Sequence, residues 1–167
     1  GGRVRWYQDR RCRLFLAGYG VLAFTFILLD EVVPIYAAAR RSAGGLELSP
    51  QQLGVPLSFS GACLLIYTAV FYGMVVKRLG LMTTLLLGIL GTSVPILIVP
   101  LVTLVPAGAV AAQLAILAVC LGAKSVFAGS AFTSSVVLLN QAAPPGELAT
   151  VNGVGQAVSS LVTLVPA

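Results

Sequence analysis

The apolar residues of this chain fall in long, nearly unbroken runs separated by short polar breaks. A helix needs about 20 mostly apolar residues to cross a hydrocarbon core about 30 Å thick. By that measure the chain offers four complete spans, at 14–39, 53–76, 81–105 and 109–139, and part of a fifth at 151–167. The predicted fold is an all-α transmembrane helix bundle.

Polar punctuation sets the ends of these helices. The first should stop between Pro34 and Ala39, and RRSAGGLELSPQQLG then forms a loop broken by Gly44 and Gly45. Ser49-Pro50-Gln51-Gln52 has the form of a capping box with proline at the first helical position, which places the start of the second helix at Pro50, ahead of its apolar run. That helix carries Ser58, Ser60, Gly61, Tyr67, Thr68 and Tyr72, a mixture suited to helix packing, and closes at Lys77-Arg78-Leu79-Gly80. The third span is the most uniformly apolar; Pro95 and Pro100 should kink it, and it reads as lipid-facing scaffold. The string LVTLVPA occurs at 101–107 and again at 161–167 with unrelated flanks, so it does not define a repeat.

The fourth span is long and holds Gln113, Lys124, Ser125, Ser130, Thr133, Ser134 and Ser135. Positions eleven apart fall within about 20° on a helix, so Gln113, Lys124 and Ser135 form one stripe. Ser125, Gly129 and Thr133 follow a small-xxx-small spacing on a neighbouring face. NQAAPPGELAT then makes a loop into the last span, which opens with Asn152-Gly153.

Composition agrees: of 167 residues, 58% are hydrophobic and 9% charged, with no histidine. The net charge of +5 gathers at span ends, so it reads as membrane orientation and not as nucleic-acid binding. With the basic segment 1–13 cytoplasmic, Arg3, Arg5, Arg10, Arg11, Arg13, Lys77 and Arg78 lie inside, Arg40 and Arg41 lie outside, and Lys124 is left within a span. The apolar run after that segment is too long for a cleaved signal. Cys12, Cys63 and Cys120 are isolated and read as packing residues; no metal site, cofactor or catalytic group is legible. The start at Gly1 and the interrupted fifth span suggest a piece of a longer protein.

Asp30 and Glu31 stand inside the first apolar run, where an ionised group costs roughly 2.5–3.5 kcal/mol at the centre of a span. From the rise of a helix, Asp30 lies about 24 Å from the inner end of its span and Lys124 about 22 Å from the inner end of its own, a match in depth. Pairing would offset part of each desolvation cost. Asp30 shares a face with Tyr19, while Glu31 points about 100° away toward a neighbouring helix or the outer mouth. A structural reading stands beside the functional one: the acids mark a helix end near Arg40 and Arg41, and Lys124 only ties helices together.

The loop residues carry a resemblance. Gly73-Met-Val-Val-Lys77-Arg78-Leu79-Gly80 is similar to the GxxxDRxG loop of the major facilitator superfamily, with Lys77 at the acid's position. AGGLELSPQQLG, SGACLLIY, the KRLG turn, Lys124 and LLNQAAPP leading to Asn152-Gly153 resemble in particular the zinc-induced facilitator-like transporters of plants and algae. This implies the C-terminal half of a twelve-helix carrier, from helix seven to part of helix eleven, completed by an N-terminal half. It further implies a multi-pass protein of the vacuolar or plasma membrane that moves a small organic or inorganic ion, or a chelate such as nicotianamine, against protons. Asp30, Glu31, Lys124, Tyr19, Gln113 and Ser135 would line its path, Gly73, Lys77, Arg78 and Gly80 its inner loop, and Asn152 and Gly153 its inner gate. A non-transporting membrane subunit or a truncated remnant is the alternative; no nucleophile and base pair speaks for an enzyme.

Overall fold

The computed structural model describes residues 5–163. Arg3, residues 164–167 of the fifth span and the end of the second LVTLVPA string lie outside them. The described chain is helical: α1 (Arg10–Ala38), α2 (Pro50–Ile66), a π-helical segment (Tyr67–Phe71), α3 (Tyr72–Leu79), α4 (Leu81–Ile98), a 3-10 segment (Val99–Leu104), α5 (Val110–Ala142) and α6 (Leu148–Thr163). Four stretches are long and apolar enough to cross a membrane: Arg10–Ala38, Pro50–Leu79, Leu81–Leu104 and Val110–Ala142, with mean hydropathy 1.9, 1.9, 2.4 and 1.9.

Each boundary has a local cause. Helix α1 begins before its apolar run because the Asp9 carboxylate accepts from the backbone N–H of Arg11 at 2.7 Å and of Cys12 at 3.3 Å. At its other end the following loop folds back: Glu47 N–H donates to Ala39 O at 2.9 Å and Leu48 N–H to Ala37 O at 3.0 Å, which satisfies carbonyls that a helix end leaves open. The capping box at Ser49 is formed in both directions, Gln52 N–H to Ser49 Oγ at 3.3 Å and Ser49 N–H to Gln52 Oε1 at 2.8 Å. Between α3 and α4 the chain turns on Gly80 alone, at φ 80° and ψ 160°, a conformation closed to residues with a Cβ. Its carbonyl accepts both the N–H of Thr84 at 3.1 Å and the Thr84 hydroxyl at 2.8 Å.

Two compact units make up the chain. The first, residues 1–30 and 132–167, packs the start of α1, the end of α5 and α6 around Cys12, Tyr19, Leu139 and Val151. Helices α1 and α6 meet closely there; a Cβ on Gly20 would lie 2.9 Å from Val158 Cγ1.

The second unit, residues 31–131, has its core in Ala37, Leu46, Leu48, Leu53, Val99, Val102, Leu117 and Cys120. Polar groups tie the same end together. The Tyr36 hydroxyl donates to Pro100 O at 3.2 Å, and the Arg41 guanidinium donates to Val105 O at 3.3 and 3.4 Å.

Pro95 and Pro100 mark a change of helix type, from α to the tighter 3-10 form at Val99, since each removes a backbone donor. The third span is not scaffold on every side. Thr84, Leu85, Gly88, Thr92 and Pro95 are buried while Leu86, Leu90, Val94 and Leu97 are exposed, so one face packs and the other is bare. The buried face is itself a small-xxx-small stripe, Thr84-Gly88-Thr92, and lets α5 approach until a Cβ on Gly88 would lie 2.7 Å from Phe127 O. On α5, Gly122 meets the Phe59 ring and Cys63, and Gly129 meets Leu64.

Candidate functional site

Burial along α1 follows one stripe. Cys12, Tyr19, Ala23, Val33 and Ala37 are at most 8% exposed. Asp30 lies seven residues from both Ala23 and Ala37, within about 20° of each on the helix, yet it is exposed. The packed face of α1 is therefore interrupted at its acid. Glu31 is exposed on another side, three residues after Leu28 and four before Ile35, beside the bare apolar stripe of Phe24, Leu28, Val32 and Ile35. Both carboxylates are thus exposed among the described residues.

All three members of the α5 stripe are buried: Gln113 at 0%, Lys124 at 5% and Ser135 at 4% exposure. Lys124 stands near the middle of a 33-residue apolar helix, far from either end. Gln113 holds the turn before its own helix, its Nε2 donating to Val105 O at 3.2 Å and Pro106 O at 3.0 Å. Among the described residues its Oε1 has no donor.

In the first unit the fold brings Tyr19 and Asn152 together. With Val136, Leu139, Gly155 and Gln156 they line a cavity of about 20 Å³, room for roughly one water, which needs about 10–15 Å³. The Tyr19 ring packs on Phe132 at a centroid distance of 5.2 Å, with the two planes tilted by 43°. Gln156 was not singled out in the sequence; its spacing of four from Asn152 inside an apolar run is the signal that could have found it. Gly153 is exposed, and a Cβ on it would meet open space.

In the second unit the hydroxyls of Tyr67 and Ser130 lie 2.7 Å apart, and Ser130 Oγ is 2.9 Å from Val126 O. Tyr67 opens the π-helical segment, where Tyr72 N–H reaches back five residues to Tyr67 O. Such segments recur at functional positions. Of the four residues read as a loop, Gly73, Lys77 and Arg78 lie in α3 and Gly80 caps it, and all are exposed. Among the described residues no three His, Cys, Asp or Glu side chains group to hold a metal ion.

The chain is 27% identical over 157 residues to a probable peptide/nitrate transporter of Arabidopsis thaliana, covering 92% of this chain and 31% of that protein. It is 27% identical over 157 residues to a major facilitator superfamily multidrug transporter of Aspergillus fumigatus, covering 87% of this chain and 26% of the relative. The chain thus spans under a third of the length of these curated relatives. No protein-family model matches it, and no solved structure matches it. Set beside the four membrane-length apolar helices among the described residues, the similarity to two transporters supports an integral multi-pass membrane protein.

Proposed function

We propose that this chain is the C-terminal half of a proton-coupled antiporter of the zinc-induced facilitator-like kind. With an N-terminal half it carries a small organic or inorganic ion, or a metal chelate such as nicotianamine, across a vacuolar or plasma membrane. The observation that carries this reading is Lys124, an ammonium 5% exposed in mid-span.

A charge so placed is costly unless an anion balances it, and intramembrane charges line solute and proton paths. In this reading Lys124 is balanced by a carboxylate in one state and by an anionic substrate group in another. Asp30, accessible on an otherwise packed face, and Glu31 supply the exchangeable protons. Tyr19, Asn152 and Gln156 hold a water at the inner side. Substrate meets both halves near mid-membrane, as in carriers built from two repeats.

The test uses the full-length protein in vesicles with an imposed proton gradient. Lys124→Ala should abolish pH-driven uptake while expression and thermal unfolding stay near wild type. Uptake at the wild-type rate would refute the reading; loss of folding along with uptake would assign Lys124 to structure.

A further inference from the structure

A cavity of about 240 Å³ lies within the second unit, walled by α3, α4 and α5. We propose that it receives one acyl chain of an anionic phospholipid whose phosphate is held at Arg78.

The cavity is apolar by construction. On its walls the Tyr67 and Ser130 hydroxyls are spent on each other and on Val126 O, and the Thr84 hydroxyl is spent on Gly80 O. A water needs two to four polar partners, and an apolar cavity of about 150 Å³ stays dry and takes up hydrocarbon instead. The occupant is therefore hydrocarbon.

Its shape suits a chain lying along the helices. Thr84 at 2% and Ser130 at 4% exposure form its covered wall, whereas Leu79 and Leu87, both 47% exposed, and Phe127, at 38%, border its opening. Along the first wall the lining runs from Leu79 to Tyr67, twelve residues or about 18 Å of helical rise. Leu79 is the last residue of a span-length helix, so its end of the slot lies where the hydrocarbon gives way to headgroups.

Charge stands at that end. Arg78 precedes Leu79 and is three residues after Val75, another wall residue, so it projects about 60° from the cavity's side of α3. Arg78 and Lys77 are both exposed, and among the described residues neither makes an ion pair or side-chain hydrogen bond. A guanidinium binds phosphate oxygens in pairs, and basic residues at a span end attract anionic headgroups. An apolar slot opening beside an unspent guanidinium matches the two ends of such a lipid.

The test is native mass spectrometry of the detergent-purified protein with phosphatidylglycerol or phosphatidylcholine of identical acyl chains. Wild type should retain phosphatidylglycerol several-fold over phosphatidylcholine. Arg78→Gln should erase that preference while keeping adducts of both, and Val75→Phe or Leu87→Phe, which fill the slot, should lose both. Equal retention of the two lipids by wild type would overturn the role of Arg78. Undiminished adducts in both filled variants, with helix content unchanged by circular dichroism, would overturn the cavity as the seat. The assay measures no transport, so it succeeds or fails apart from the coupling reading.

Discussion

The Tyr67 hydroxyl meets that of Ser130 at 2.7 Å, across sixty-three positions of sequence, and joins the π-helical segment of the second span to the middle of α5. A polar pair between helices in an apolar setting is worth about 0.6 kcal/mol on average and at most about 1.7. Tyr67→Phe and Ser130→Ala should each lower stability by about 0.5–1.5 kcal/mol. A double-mutant cycle on thermal unfolding in detergent should show positive coupling, and additive losses would mean the bond contributes nothing.

Gly88 and Gly73 should answer oppositely to alanine. A Cβ on Gly88 would press on backbone atoms, Phe127 O and Ala131 N, both at 2.7 Å, which cannot swing aside. Gly88→Ala should cost about 1–3 kcal/mol by overpacking. Gly73 has nothing within 4 Å of that position. Gly73→Ala should be neutral or stabilising by up to about 1 kcal/mol, since alanine favours the helix. Melting the two variants side by side distinguishes packing from glycine's backbone cost.

At Gln113 the two obvious substitutions should rank against intuition. Its Nε2 faces two carbonyl oxygens, of Val105 and Pro106. Gln113→Leu loses those bonds but also removes an acceptor without a donor, at a net cost of about 1 kcal/mol. Gln113→Glu sets carboxylate oxygens against the carbonyls and should be the less stable by differential scanning fluorimetry. Equal melting temperatures would show that the amide is not engaged as described.

The two acids of α1 should separate in transport assays of the full-length protein. Asp30→Asn, on the interrupted packed face, should flatten the pH dependence of uptake. Glu31→Gln, beside the bare apolar stripe, should flatten it as well but to a smaller degree. Unchanged pH profiles in both variants would remove the pair from coupling.

Helix boundaries were largely legible because they rest on local chemistry. Ser49 through Gln52 encode their capping box within four residues, and the KRLG turn needs only Gly80 to break the helix. Packing faces were harder to read. The Thr84-Gly88-Thr92 stripe sits in the most apolar span, where hydropathy masks the small residues, and only the approach of α5 shows which side they serve. The π-helical register at Tyr67 has no local signature in YTAVF.

The candidate site divides the same way. Sequence alone determined that Lys124 lies in a span and that Asp30 shares a helical face with Tyr19, because both follow from counting along a helix. Only the tertiary structure decided that Lys124 is buried, that Asp30 is exposed where its face is otherwise packed, and that Tyr19 lines a cavity with Asn152 and Gln156. Periodicity fixes direction around one helix axis; which direction is covered depends on the helix packed beside it, and that is set by close fits such as Gly20 on Val158 and Gly88 on Phe127.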